Sequence, residues 1–117
     1  PELGDHAREV IDREYAAGRL AVSAISFWEV AMLQEKGRLR LAQNLETWRN
    51  DLLEAGLCEL PVTGELGVRA ASLRDFHGDP ADRLIVASAL QQGAQLVTAD
   101  RHVLDWRGGL VVLPARA

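Results

Sequence analysis

The feature that most constrains the fold of this chain is an alternation between short apolar segments and segments with apolar residues at helical spacing. The short apolar segments have the pattern of buried strands and cover residues 20–25, 57–62, 95–98 and 110–113. Short apolar strands that are separated by helices form mostly parallel sheets, covered on both faces. The alternation therefore predicts an α/β fold with helices on either side of a central, mostly parallel sheet.

Helical patterns fill the intervals between these strands. The first covers residues 5–17, where Val10 and Ile11 stand among charges and Gly18 is a suitable stop. Apolar spacing predicts further helices at 27–35, at 45–53, from Thr63 to about 73 and from Asp79-Pro80 to Gly93, with a helical turn at 100–106. Residues 36–41 are predicted to form a connector and residues 74–79 a polar loop.

Length and composition place the chain among small globular proteins. Its 117 residues suffice for one domain over residues 1–117 and are too few for two. No apolar run approaches the ~18 residues of a membrane span, and no secretory signal stands at the start. Cys58 is the single cysteine and lies in an apolar stretch, so we expect a small core residue and no disulfide. These features predict a cytoplasmic protein.

The charge balance argues against a simple basic nucleic-acid binder. The formal net charge is -4, whereas such binders usually carry an excess of Lys and Arg. A metal-dependent nuclease remains compatible with this charge, because its centre is acidic and cations are needed only at the rim. Lys36 is the one lysine among 13 cationic residues, and the arginines that make up the rest suit phosphate recognition. A compositional bias of the genome explains the arginines equally well.

Four acidic residues stand where strands lead into helices, namely Glu29, Asp79, Asp82 and Asp100. In parallel α/β sheets these transitions lie at one edge, where ligands bind. Carboxylates that converge there repel one another and are costly without a cation. Because Mg²⁺ and Mn²⁺ take oxygen ligands, the placement is compatible with a metal site that activates water against a phosphodiester.

Local helix chemistry offers an alternative explanation for each of these acids. Ser26 and Glu29 have the spacing of a capping box. Asp79 could cap the helix that Pro80 opens, with Asp82 in its first turn, and Asp100 could cap the turn that follows it. Residue chemistry alone leaves both interpretations open.

Four segments, in order, resemble the VapC-type branch of the PIN-domain family, and together they span most of the chain. They are Ser23-Ala-Ile-Ser-Phe-Trp-Glu-Val-Ala31, Gly37-Arg-Leu-Arg-Leu41, His77-Gly-Asp-Pro-Ala-Asp-Arg-Leu-Ile-Val-Ala-Ser-Ala89 and Leu96-Val-Thr-Ala-Asp100. The combination of Asp-Pro-Ala-Asp-Arg with Thr-Ala-Asp is the most specific part. The resemblance implies a PIN-like α/β/α fold.

The same resemblance implies a function and a set of site residues. PIN domains cut RNA with Mg²⁺ or Mn²⁺, and VapC-type members are toxins, usually homodimeric, that a cognate antitoxin neutralises. The family's catalytic and metal-binding acids map onto Glu29, Asp82 and Asp100. Asp79 and Thr98 would support these acids without being metal ligands themselves, although a helix cap and a strand threonine need no such role.

One departure from the family concerns the beginning of the chain. The family starts with a buried central strand that ends in a metal-binding aspartate, and nothing before Pro1 supplies it; Asp5 matches the next segment. We expect about 15–20 residues to be absent, enough for a strand, a turn and a short helix. The expectation is an N-terminally truncated domain with weakened or no nuclease activity, unless another chain supplies the strand or the strand precedes Pro1 in the natural protein.

Cationic residues near the predicted site are candidates for the path of the RNA. They are Arg83, Arg101, Lys36, Arg38 and Arg40. A solvated helix end explains each of them as well. His77 and His102 lie near the acids, but a metal-activated water needs no histidine base. We expect Trp28 and Trp48 to pack in the core or in a dimer, because both lie on apolar helical stripes.

Two other classes of function compete with the nuclease. The chain could be an inactive PIN-like module for dimerisation or antitoxin binding, with the apolar stripes at 27–33 and 45–53 as its interface. Metal binding distinguishes this module from the enzyme. A helix-turn-helix DNA binder is disfavoured by the strands and by the acidic charge.

Overall fold

A computed structural model describes residues 3–116, in which six helices alternate with four short strands. The elements are α1 (Asp5–Ala16), β1 (Ala21–Ser23), α2 (Ala24–Glu35), α3 (Leu45–Glu54), β2 (Cys58–Leu60), α4 (Gly64–Ala71), α5 (Pro80–Gln92), β3 (Leu96–Thr98), α6 (Arg101–Asp105) and β4 (Val112–Pro114). No helix within residues 3–116 has the length and apolar character needed to cross a bilayer.

The strands form two parallel pairs. In the first pair, β1 lies beside β2 with Ala21 opposite Cys58, and in the second β3 lies beside β4 with Leu96 opposite Val112. The described strands form no continuous sheet, because no ladder joins one pair to the other. Parallel pairing and alternation with helices confirm the predicted α/β class.

The largest boundary error concerns the start of α2. The sequence predicted a strand to residue 25 and a helix from Phe27, whereas α2 begins at Ala24. Ser23 is the N-cap, and its Oγ accepts a hydrogen bond from the Ile25 amide at 3.3 Å. The expected capping box of Ser26 and Glu29 is therefore wrong, because both residues already lie inside the helix.

Other helix boundaries also follow local chemistry, and those at Thr63 and Gly93 were predicted. Asn44 caps α3 through two amides, and the Thr63 hydroxyl accepts from the Leu66 amide at 3.1 Å. Gly93 ends α5 with φ of 62°, a left-handed conformation that glycine adopts without steric cost. These helix ends are thus determined largely by local capping residues.

Helix α5 runs through the centre of the core. Its Ala87 packs with Leu66 and Ala70 of α4, while its Val86, fully buried, packs with Phe76 and Val103. Burial of these side chains provides the main stabilisation of the fold. Cys58, in contrast, is exposed on β2, so the expected core position for it is wrong.

Arg83 connects α5 to the end of α4 and to the loop that follows. Its guanidinium donates to the carbonyl oxygens of Ala70 at 3.0 Å, Ala71 at 3.3 Å, Leu73 at 2.9 Å and Phe76 at 2.6 Å. Terminal helix carbonyls lack partners within their own helix, and a positive charge beside them is favourable. The Arg83 guanidinium thereby fixes the backbone conformation of the loop that leads to Asp79.

Arg83→Met is expected to destabilise the protein by about 2–3 kcal/mol, since part-buried carbonyls lose a charged donor. Arg83→Lys should recover only part of this loss, because an ammonium cannot reproduce the planar fork. Chemical denaturation measures both effects. Arg69→Met is the control, because Arg69 makes an exposed i,i+4 pair with Glu65, the kind of pair that contributes little to stability. Equal stability of the Arg83 and Arg69 variants would contradict the proposed role of the fork.

Candidate active site

The four acidic residues lie at the starts of two helices and inside a third. Asp79 is the N-cap of α5, and its Oδ1 accepts from the Asp82 amide at 2.8 Å. Asp82 lies in the first turn of that helix. Asp100 is the N-cap of α6 and accepts from the His102 amide at 2.8 Å. Glu29, in the second turn of α2, has no capping role.

Electrostatic coupling shows that these carboxyl groups are near one another. Partial burial, followed by the charges of Asp79, Asp100 and Glu29, raises the pKa of Asp82 from 3.8 to about 6. A hydrogen bond between the Asp82 carboxyl group and the backbone of Asp79 opposes this rise. The pKa of Glu29 is also raised, mainly by partial burial and then by the charge of Asp79. Residues that lie far apart in sequence thus contribute to one acidic cluster.

The cluster carries uncompensated negative charge. Among residues 3–116, Asp100 is the one carboxylate of the four with a cationic group at ion-pair distance, the His102 Nδ1 at 3.4 Å, and this imidazole is a cation only when protonated. Repulsion of this kind favours protonation of an acid or binding of a cation. Carboxylate oxygens are the ligands that hard divalent cations take in proteins.

The geometry of a metal centre is nevertheless incomplete. Within residues 3–116, no three His, Cys, Asp or Glu side chains are placed to hold one metal ion. The donor chemistry thus fits a hard cation, whereas the spacing requires bridging water or a further ligand. The assignment of Glu29, Asp82 and Asp100 as metal ligands stays a prediction.

The predicted supporting residues have local structural roles. Thr98 ends β3, and its hydroxyl accepts from the Asp100 amide at 3.0 Å. This bond fixes the backbone that carries the Asp100 carboxylate. Asp79 orients Asp82 in the same way, through its cap on the Asp82 amide. Both residues therefore position a neighbouring carboxylate, and a role for them in supporting the metal ligands stays a prediction.

The predicted RNA-binding cations differ in how many of their N–H donors already have partners within the protein. Arg83 uses four of its five N–H donors on backbone carbonyls. Arg101 is exposed and lies 3.7 Å from Asp105 in a surface pair. Lys36, Arg38 and Arg40 are all exposed in the connector after α2. Contact of any of these residues with RNA stays a prediction.

The three tryptophans occupy different environments. Trp48 packs edge-on against Phe27 with ring centroids 5.8 Å apart, as expected for a packing residue. Trp106 packs against Phe76, and its indole donates to the Arg74 carbonyl at 2.8 Å. Trp28 is 57% exposed, so it does not belong to the core of this chain.

A cavity that the sequence did not predict opens beside the acidic cluster. It measures about 850 Å³, and Asp82, Ser26 and Thr98 are among its lining residues. The sequence pattern around Ser26 predicts only a helix cap. Its position three residues before Glu29 on α2 places both on one helix face, a spacing that could have identified it as a site residue.

Comparison with known proteins identifies the family. The family model described as PIN domain matches residues 2–107. The chain belongs to the PIN domain family. Ribonuclease VapC22 of Mycobacterium tuberculosis (strain ATCC 25618 / H37Rv) is a relative of this PIN domain, 41% identical over 92 residues, which cover 78% of this chain and 70% of the relative.

Asp82→Asn is expected to stabilise the PIN domain above pH 6 in metal-free buffer. The folded state raises the pKa of Asp82 from 3.8 to about 6, so stability decreases as pH rises through this window. Asparagine cannot ionise, so the variant keeps the stability that the parent loses. Its free energy of unfolding at pH 7.5 should exceed that of the parent by about 1 kcal/mol, after discounting the shift for solvent screening. Near pH 4 the difference should disappear.

Thermal unfolding from pH 4 to 8 measures the effect. Asp12→Asn, an exposed acid on α1, is the matched control and should show no such pH-dependent gain. A constant difference between Asp82→Asn and the parent at all pH values would contradict the electrostatic explanation.

Proposed function

We propose that this PIN domain is an endoribonuclease that hydrolyses RNA with a carboxylate-bound divalent ion, as the toxin of a toxin–antitoxin pair. The observation that carries the proposal is that the charges of Asp79, Asp100 and Glu29 all act on the Asp82 carboxyl group, and that the charge of Asp79 also acts on Glu29. The 41% identity to a protein named ribonuclease supports the same assignment. Uncompensated carboxylates beside an open cavity suit a cation that also contacts a phosphodiester.

Glu29, Asp82 and Asp100 would hold the ion, by direct or water-bridged contact. Mg²⁺ and Mn²⁺ are the proposed ions, because both take oxygen ligands and keep several waters. When bound, such an ion supplies an activated water and a positive charge close to the scissile phosphate. The raised pKa of Asp82 means that ion binding displaces a proton near pH 6, so affinity should increase as pH rises.

The remaining contribution of the protein is to orient these carboxylates. The Thr98 hydroxyl holds the amide of Asp100, and the Asp79 carboxylate holds the amide of Asp82. Both bonds fix backbone at a helix start, which limits the positions of the two acids before substrate arrives. Preorganised groups of this kind lower the cost of assembling the reactive geometry.

The proposal predicts the chemical form of the products. Attack by water in line with the leaving group gives a 5′-phosphate end. Attack by the RNA's own 2′-hydroxyl would instead give a cyclic phosphate. Exposed Arg101, Lys36, Arg38 and Arg40 are the candidates for contacts to the RNA backbone.

A homodimer and a complex with a cognate antitoxin are part of the proposal. Helix α2 carries exposed apolar side chains, with Trp28 at 57%, Leu33 at 41% and Met32 at 36% exposure. Trp28 and Met32 are four residues apart and share one helix face. Apolar surface of this kind suits a protein partner. RNA and antitoxin would meet this protein in the cytoplasm.

The second candidate is an inactive PIN-like module that serves in dimerisation or antitoxin binding. One observation favours it: among residues 3–116 no three potential ligands are placed around a single ion. The exposed face of α2 would then be the functional surface. The two candidates differ in whether the acidic cluster is needed for RNA cleavage.

In the full-length protein, Asp82→Asn and Asp100→Asn are each expected to lower the rate of RNA cleavage by at least about 100-fold, the scale of loss when a metal site is disturbed. Cleavage of a 5′-labelled RNA in Mg²⁺ or Mn²⁺ measures the rate, and end-group analysis should find 5′-phosphates. Chelation by EDTA should abolish the reaction.

Asp12→Asn is the matched control, since it removes an exposed carboxylate from α1, and its rate should equal that of the parent. Cleavage that survives EDTA, or that is unchanged in both site variants, would contradict the proposed mechanism. A parent protein without any activity on RNA would favour the inactive module.

A further inference from the structure

The loop between α4 and α5, residues 73–78, ends directly before the acidic cluster. Its Asp75 adopts a left-handed backbone conformation, with φ of 59°, that residues other than glycine rarely take. A residue persists in such a conformation where the surrounding structure fixes it. Contacts with other segments therefore hold this loop in place, and Trp106 provides two of them.

Trp106 stands directly after α6, 32 residues along the chain from its partner Arg74 in the loop. Its Nε1 donates to the Arg74 carbonyl at 2.8 Å, and its ring packs edge-on against Phe76 with the centroids 5.6 Å apart. The backbone at Gly108 also lies against the indole, where a β-carbon would overlap the ring. The indole thus contacts the loop at two residues and is itself held by the segment after α6.

The Phe76 ring lies against Gly78, and Gly78 lies against Asp82. A β-carbon at Gly78 would be 2.6 Å from Cζ of Phe76 and 2.9 Å from Cβ of Asp82, both shorter than the separations that β-carbons show in proteins. Gly78 does not have a positive φ. Lack of space, and not backbone conformation, is therefore what requires glycine here, and a shift of the buried Phe76 ring changes the space available to Asp82.

The end of the loop also determines where two carboxylates lie. Asp79 follows Gly78, and its Oδ1 accepts from the Asp82 amide at 2.8 Å. The Asp82 carboxyl group in turn makes a hydrogen bond with the backbone of Asp79. Because each acid bonds to the backbone of the other, a displacement of residues 76–78 would move both of them.

We propose that Trp106 is a positioning residue for the acidic cluster, which holds the loop so that Phe76 and Gly78 keep Asp82 in place to bind the metal ion. This role rests on the function proposed above. Trp106 itself contacts neither the ion nor the RNA, because its N–H is bonded to Arg74 and its ring packs against Phe76. Groups that orient metal ligands without touching the metal typically change affinity by about 10–100-fold.

Two other roles of Trp106 have different consequences. A residue that only fills the core lowers the free energy of unfolding and leaves the Mn²⁺ affinity of the folded protein unchanged. A residue that stacks on RNA bases changes KM for RNA. A positioning residue lowers Mn²⁺ affinity in the folded protein and lowers kcat, while KM for RNA stays the same.

Calorimetric titration of the full-length protein with Mn²⁺ alone, at a temperature where every variant is folded, tests the role. Trp106→Leu removes the donor and the aromatic contact and should weaken Mn²⁺ binding about tenfold. Trp106→Phe keeps a ring beside Phe76 and should weaken it less. Leu66→Val is the control for lost stability, since Leu66 lies in the other core cluster, and it should bind Mn²⁺ as the parent does.

Gly78→Ala tests the last contact without changing Trp106. Its β-carbon must displace the Phe76 ring or Asp82, so Mn²⁺ binding should weaken here too. Gly64→Ala is the matched control, because a β-carbon at Gly64 meets no atom within 4 Å. If both changes act along one path, the double variant Trp106→Leu, Gly78→Ala should lose less affinity than the two single losses together.

Amide hydrogen exchange without metal provides a readout that is independent of catalysis. In Trp106→Leu the Asp82 amide, which is bonded to Asp79, should exchange faster than in the parent. The Leu66 amide is bonded to Thr63 in the equivalent cap of α4, and its exchange should not change. Equal acceleration at both amides would mean a general loss of stability and would overturn the positioning role.

The titration separates failure of this role from failure of the nuclease. A parent that binds Mn²⁺ and cleaves RNA, with unchanged Mn²⁺ affinity in Trp106→Leu and Gly78→Ala, would overturn the positioning role and leave the nuclease intact. A higher KM at unchanged kcat would overturn it as well, and would place Trp106 on the path of the RNA. A parent that neither binds Mn²⁺ nor cleaves RNA would refute both proposals.

Discussion

Capping of α5 by Asp79 is the interaction on which the core and the site both depend. It fixes the residue at which the helix begins, and the helical repeat then sets the face on which each later side chain lies. From that start, Asp82 reaches the acidic cluster, Arg83 binds the carbonyls after α4, Val86 enters the core and Ser88 lines the cavity. The same helix thus carries residues of the core, of the acidic cluster and of the cavity wall.

Holding these four carboxylates together costs free energy, and the needs of folding alone do not explain why the chain does so. Asp79 and Asp100 serve as helix caps, but Glu29 and Asp82 have no such role, and burial and repulsion disfavour their charged forms. A domain that keeps them together is expected to recover this energy by binding a cation. The cap and metal interpretations are therefore compatible, because a capped helix start is also what aims a carboxylate into the cluster.

Sequence was most informative where structure depends on neighbours in the chain. The α5 start at Asp79-Pro80 and its end at Gly93 follow from local capping, and the alternation predicted the α/β class. The start of α2 was misplaced because Ser23 and Ser26 are both competent caps. The bonds of Arg83, the exposure of Cys58 and the cavity depend on contacts between distant segments, which spacing along one chain does not encode.

The most direct test of the account is thermal unfolding with and without Mn²⁺, on this chain and on an Asp82→Asn, Asp100→Asn double variant. A ligand that binds only the folded state raises its stability by mass action. We expect Mn²⁺ to raise the unfolding temperature of the parent and to leave that of the double variant unchanged. Absence of a shift in the parent, or an equal shift in both proteins, would contradict the claim that these carboxylates share a cation.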